Sequence, residues 1–489
     1  MNNLAKYNLD QTLDPSNWEP LNQLGHTMVD DALRFLEEVR LRPVWQKTPE
    51  STKDLANQPL PMEGTAPEEI YADFLKHILP YTKGNIHPRF FAWVQGTGTP
   101  FAVLADLMAS TMNPNVAIGD HAAMYIDQQV IEWCKTLFNF PAQASGMLVS
   151  GGTNANITAL TVARNSYDPR IREEGLGCLP GQLVLYSSIE THSCNQKAVE
   201  VLGIGNANFK RIPVDDHYRI DISALKKQIA ADRAAGHLPF CIVGNAGTVN
   251  TGAIDPLDEL LDICRSENLW FHIDGAFGAL AKIVPEYADT LKAIEQADSL
   301  AFDLHKWMYL PYEVGCVLIR NRDLHRAAFA LQPSYLVSHE RGLSAGPDPN
   351  TNYGLELSRG FKALKVWMSI REYGIDRYRQ LIAQNIAQCF YFGELIEQTP
   401  HLELLAPVTL NIVCYRYNPG GISLPALNDL NKEILMRMHE KGVAAPSNTF
   451  LQGQYAIRVA NVNHRSRKAD FEVLVKETVQ LGEEIRGEG

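Results

Sequence analysis

The sequence predicts an α/β protein: a large domain built on a mostly parallel sheet, preceded by an N-terminal helical arm and followed by a small C-terminal α+β domain. Three observations carry that reading. Short apolar runs of strand length alternate with helical segments through the middle of the chain, the rhythm of parallel strands joined by crossover helices. At 489 residues the chain exceeds one ordinary core, so a domain of roughly 250–300 residues with smaller flanking units is expected. Residues able to do chemistry also recur just after the apolar runs, where open α/β sheets place their ligands.

The arm is read over residues 1–85. Leu24, Met28, Ala32, Phe35, Leu36 and Val39 recur at helical spacing, Gln58-Pro59-Leu60-Pro61-Met62 interrupts them, and a second helical pattern covers 67–79. Two helices hinged by prolines cannot bury both faces alone, so a partner subunit is the natural surface. The large domain is read over 86–372, with strands at 182–187, 240–245, 270–274, 299–303 and 315–319 and helices near His192 and over 256–267. Residues 373–489 mix strands (409–415, 455–459) with helices (424–441, 468–486), as a small α+β domain would.

Composition narrows the function. A net charge of −12 without a Lys/Arg cluster argues against a nucleic-acid surface. No stretch approaches the ~20 apolar residues of a membrane span and the N-terminus has no apolar leader, so a cytoplasmic protein without a membrane partner is expected. Eight cysteines lie scattered without a CxxC pair, as free core thiols would, and no metal site is expected.

Four segments carry chemistry. Ser150-Gly151-Gly152-Thr153-Asn154 follows an apolar run and opens a helix. Its backbone N–H groups could face a phosphate, and it could equally be an ordinary capped helix start. His192 follows the run at 182–187 and could lie flat on an aromatic ring or simply cap the next helix. Asp274 ends the apolar Trp270-Phe271-His272-Ile273, so its carboxylate needs a cationic partner. Lys306, between His305 and Trp307, ends another apolar run, where desolvation would lower its pKa and free the amine to attack a carbonyl. An acid to hold a protonated ring nitrogen and a lysine to form an imine are what pyridoxal 5'-phosphate requires of a protein.

In this order the segments resemble the group II pyridoxal-phosphate-dependent amino-acid decarboxylases, the family of the aromatic-L-amino-acid, histidine and glutamate decarboxylases. The resemblance is carried by His87-Pro88-Arg89-Phe90-Phe91, by residues 150–160, 191–203 and 272–278, by Gly247-Thr248 with Gly252 and Asp255, by 303–307, and by Ser358-Arg359-Gly360-Phe361-Lys362. It implies the aminotransferase-like fold type I. It also implies that Lys306 forms the imine with the cofactor, that Asp274 pairs with the pyridine nitrogen, and that His192 stacks on the ring near the substrate carboxylate. Gly152 and Thr153 would bind the phosphate with Asp303 or His305, while Thr248, Asp255 and Ala276 would shape the surroundings. Tyr335, on a polar Gly/Pro-containing lid over 331–352, would protonate the α-carbon after CO₂ leaves; relatives with phenylalanine there tend toward oxidative deamination. Phe91 and Trp93 would line the substrate side-chain pocket.

Three departures stand out. Asp274-Gly275-Ala276 replaces the usual Asp-Ala-Ala. Gln95 stands where aromatic decarboxylases usually have proline, making the pocket more polar. Asp303 replaces an asparagine, and because an acid would repel a phosphate it is expected to turn away or to act through neighbouring backbone. The expected function is decarboxylation of an L-amino acid, aromatic first, in a homodimer with shared active sites. Oxidative deamination to an aldehyde, or an acidic or small substrate, stays open.

Overall fold

The computed structural model describes residues 10–331 and 340–488. Its strands, numbered along the chain, are β1 (Phe90–Phe91), β2 (Ser145–Val149), β3 (Leu183–Ser188), β4 (Phe209–Ile212), β5 (Leu238–Asn245), β6 (Trp270–Asp274), β7 (Ser299–Asp303), β8 (Gly315–Ile319), β9 (Leu402–Leu404), β10 (Ile412–Tyr417), β11 (Ala445–Leu451) and β12 (Gln454–Ala460). Seven of them form the central sheet in the order β2-β8-β7-β6-β5-β3-β4. Only β8 runs against its neighbours; the pairings among β3 to β7 are parallel.

Continuous apolar runs form these strands because both faces are covered by helices. Ile242, Val243, Phe271, Ile273, Leu300 and Phe302 are all fully buried, and burial of each such side chain is worth about 1.5–3 kcal/mol. Register then aligns the strand ends: Asn245 pairs with Asp274, Asp274 with Ala301, and Asp303 with Gly315. One edge of the sheet therefore presents Asn245, Asp274 and Asp303 side by side.

The second sheet has the order β1-β11-β12-β10-β9. β1 pairs in parallel with β11, through Phe90 with Ala445 and Phe91 with Pro446. A segment read with the central sheet thus belongs to the C-terminal one, because Phe91 needs the apolar core that Phe392, Tyr415 and Phe471 supply. The helix Ala363–Gln398 breaks at Gly374, whose φ of 69° suits glycine. We propose that the large and small domains divide there, beside residue 372.

In the arm, helices Glu19–Glu37 and Pro67–Asp73 fall where the spacing implies, and a further short helix, Glu50–Leu55, lies between them. None of them buries a residue, and Trp18, Met28, Ile70 and Phe74 are exposed. Arg40 ties the arm's end to the C-terminal helix through Asp470, at 2.8 Å. The cysteines are free; seven are buried and Cys178 is half-buried. Among the described residues no helix is long and apolar enough to cross a membrane.

Candidate active site

Two adjoining cavities flank Lys306. One, of ≈ 340 Å³, is lined by Trp93, Gln95, His192, Asp274, Ala276 and Arg458 among others. The other, of ≈ 390 Å³, is lined by Gly151, Gly152, Thr153, Asp303 and His305 among others. His192, Ala276, Lys306 and Tyr312 border both.

Asp274 is held from three sides. Its Oδ2 accepts from Asn195 Nδ2 at 3.1 Å and Asn156 Nδ2 at 3.3 Å, with Cys194 Sγ at 3.6 Å, and its Oδ1 accepts from the Ala276 N–H at 3.2 Å. A carboxylate offers about four acceptor positions, and the one left on Oδ1 suits a protonated ring nitrogen in the cavity. Burial, reinforced by Asp274, pushes the Cys194 thiol far up, so it stays a neutral donor.

His192 takes the capping role that its sequence position allows. It caps the helix Ser193–Val201, with Nδ1 accepting from the Cys194 N–H at 3.1 Å, and its ring forms part of the cavity wall. With Nδ1 accepting, the neutral ring carries its proton on Nε2.

Around Lys306 the structure departs from expectation. Burial works against the lysine's charged form, but Asp303 outweighs it, with Asp274 adding, so the pKa is raised rather than lowered. Lys306 Nζ lies 2.7 Å from Asp303 Oδ2. Asp303 therefore does not turn away: the lysine draws its buried carboxylate into the cavity. Its Oδ1 is buried without a hydrogen-bond partner among the described residues, and a Cβ on Gly152 would lie 2.9 Å from its Oδ2. On the other side, a Cβ on Gly315 would lie 2.6 Å from Asp303 Oδ1 and 2.7 Å from Gly151 Cα. The glycine turn, the acid and β8 are thus packed backbone to side chain.

His305 is buried; its Nδ1 engages Val314 at 2.9 Å, and its Nε2 is 3.9 Å from Asp303. Burial lowers its pKa, so the ring stays neutral. Its face packs against Tyr312, with ring centroids 4.5 Å apart.

Two expected residues do not line the cavities. Phe91 is fully buried against Phe471, at 5.2 Å between ring centroids, because β1 points it into the C-terminal core. Thr248 is buried in a turn, its Oγ1 bonded to Thr251 Oγ1 at 3.0 Å and accepting from the Ala253 N–H at 3.1 Å. Asp255 acts at one remove, accepting from Asn245 N and Nδ2 at 2.8 Å each. Burial raises its pKa to about 6. Tyr335 lies outside the described residues. Of the lid segment, 340–352 is pinned to the loop at 116–120 by Asp120 N to Leu343 O and Asn350 N to Ala117 O.

Arg458 is the residue that sequence reasoning missed. It is buried, and its guanidinium donates to the carbonyls of Asn250 (3.0 Å), Trp93 (3.1 Å) and Val249 (2.6 Å) and to Ser447 Oγ (3.3 Å). None of these partners is an acid, and one Nη2 N–H has no acceptor among the described residues. Burial lowers its pKa to about 10, which leaves it cationic at neutral pH. The signal was present: an arginine inside the apolar run Ala456-Ile457-Arg458-Val459-Ala460.

An amine at the junction of the cavities, an acid with one acceptor position open, and a helix start facing the second cavity together fit pyridoxal phosphate. The Asp303 carboxylate beside the glycine turn is the one feature that opposes its phosphate.

Comparison with known proteins agrees. The family described as pyridoxal-dependent decarboxylase conserved domain matches residues 49–418. An aromatic-L-amino-acid decarboxylase of Bacillus atrophaeus is 35% identical over 96% of both chains. A phenylacetaldehyde synthase of Arabidopsis thaliana is 28% identical over 92% of this chain and 93% of its own. In fold, a crystal structure of Oryza sativa TDC with PLP and tryptamine superposes with a TM-score of 0.88 at 24% identity, covering 97% of this chain and 100% of that one. With its lysine, acid and histidine gathered at the strand ends, the chain belongs to the pyridoxal-dependent decarboxylases and is a pyridoxal-phosphate-dependent amino-acid carboxy-lyase.

Proposed function

We propose that this protein converts an aromatic L-amino acid to its amine and CO₂. The carrying observation is the convergence of Lys306, Asp274, His192 and Arg458 on one cavity. Bound pyridoxal phosphate supplies the electron sink. Lys306 would hold the cofactor by its amine, Asp274 would hold a proton at the pyridine nitrogen, and His192, on the cavity wall, would bound the cofactor's site. Arg458, a buried cation without an acid partner among the described residues, would receive the substrate carboxylate. Tyr335 returns a proton to the α-carbon.

Aromatic substrates are favoured by the Bacillus atrophaeus relative and by Trp93, 54% exposed on the cavity wall. Gln95 and Asn448 make that wall more polar, which keeps acidic or small substrates as an outcome of the test. The phenylacetaldehyde synthase relative favours a second reading, oxidative deamination to an aldehyde. Product analysis with an oxygen electrode separates the two. The wild type should give amine without oxygen uptake, and Tyr335→Phe should give aldehyde, ammonia and peroxide. Amine at the parental rate from Tyr335→Phe would refute the proton-donor role.

We read the protein as a cytoplasmic homodimer with shared sites. The arm helix Glu19–Glu37, which buries nothing against its own chain, supports the dimer. Eight free cysteines suit a reducing compartment.

A further inference from the structure

Behind Asp274 lies a buried polar chain that the reaction itself does not use. Trp270 Nε1 is 2.8 Å from Ser299 Oγ, which is 2.8 Å from His272 Nδ1. His272 Nε2 is 2.6 Å from Asn156 Oδ1, and Asn156 Nδ2 is 2.8 Å from the Gly152 carbonyl and 3.3 Å from Asp274 Oδ2. Ser299, His272 and Asn156 are fully buried.

The direction of every bond is determined. The Gly152 carbonyl and the Asp274 carboxylate can only accept, so Asn156 presents its NH₂ group to them and its carbonyl oxygen to His272 Nε2. His272 must then carry its proton on Nε2, which donates to the Asn156 carbonyl oxygen. Nδ1 is then left to accept from Ser299 Oγ, which itself accepts from the Trp270 indole N–H, and the Asn156 NH₂ group also lies 3.5 Å from Cys194 Sγ. Were the imidazole to take the other tautomer, Asn156 would turn its oxygen toward Asp274 and repel it. Burial holds the His272 pKa down at about 4, so a doubly protonated ring does not blur this order near neutral pH.

We propose that His272 is a positioning residue which, held by Ser299 at Nδ1 and donating from Nε2, locks Asn156 so that one amide ties the ring-nitrogen acid to the glycine turn. The two protein groups facing opposite ends of the cofactor are then held at a fixed separation by a single side chain. This inference rests on the reading of Asp274 as the partner of the ring nitrogen.

The test uses cofactor affinity and the pH profile of the bound cofactor's visible absorbance, with thermal melting of the cofactor-free protein as a control. Asp274→Asn is measured in parallel. His272→Phe keeps a ring but neither bond, and should bind pyridoxal phosphate ~10-fold more weakly with a displaced absorbance profile. His272→Gln, whose amide can accept from Ser299 and donate to Asn156, should recover affinity to within ~3-fold. Should His272→Phe not fold, Ser299→Ala decides in its place, with the same displaced profile expected. If the His272→Phe or Ser299→Ala protein folds and keeps the wild-type affinity and profile while Asp274→Asn loses them, the relay is refuted and the Asp274 reading stands. If Asp274→Asn also keeps them, both fall.

Discussion

Asp274 and Asp303 end adjacent parallel strands and face adjoining cavities, yet they are built oppositely. Asp274 receives hydrogen bonds from two asparagines and a backbone N–H, and the relay behind it admits one proton arrangement. Asp303 has one oxygen on Lys306 and the other buried without a partner among the described residues. A satisfied buried carboxylate is a fixed reference point, whereas a half-satisfied one stores a cost that a change of partner can release. On the proposed reading, the Asp274 end is fixed by its hydrogen bonds, whereas Asp303 favours the charged form of Lys306.

The largest effect should come from the group both acids face. Lys306→Ala should abolish turnover and the cofactor's visible absorbance, read by spectrophotometry. Asp274→Asn comes next: breaking a buried charge pair costs about 3–5 kcal/mol, so pyridoxal phosphate affinity should fall at least ~100-fold in equilibrium dialysis. Asp303→Asn should do the opposite. It removes the charge opposing the phosphate and the partner that raises the lysine pKa, so affinity should rise ~10-fold, with the pH dependence of cofactor capture moving to lower pH. Weaker binding by Asp303→Asn would mean that the acid serves the cofactor directly.

The smallest effect concerns stability. His272 is held at about 4 against an ordinary value of 6.5. Between these pH values the unfolded chain takes up a proton that the folded one refuses, so stability falls as pH drops through that window and is flat above it. The share from this one histidine is roughly 3 kcal/mol at most. His272→Gln should therefore shallow the acid limb of a chemical-denaturation pH series, while His87, His325 and His464, each also lowered to about 4, keep part of the slope.

Much of this architecture was legible in the sequence, for physical reasons. Strands buried on both faces read as apolar runs, which is why 270–274, 299–303 and 315–319 coincide with β6, β7 and β8. Chemistry at the strand ends followed from the parallel arrangement. What stayed hidden depended on long-range partners. Phe91 faces the C-terminal core because β1 pairs with a strand some 350 residues later in the chain, and no local pattern records that. Asp303 faces inward because Lys306, one helical turn on, holds it there; repulsion from a phosphate was the wrong force to weigh first. Arg458 was visible as a charge in a buried strand but had no motif to attach to. Thr248 was assigned through the family resemblance alone, and its hydroxyl holds its own turn.

The central claim is the reaction and its substrate class. With pyridoxal phosphate added, the wild-type protein should be incubated with an equimolar mixture of all twenty amino acids, and the amines and CO₂ measured together. Aromatic amines with one CO₂ each are the expected result. No amine at all, or amines from acidic or small amino acids alone, would contradict the account.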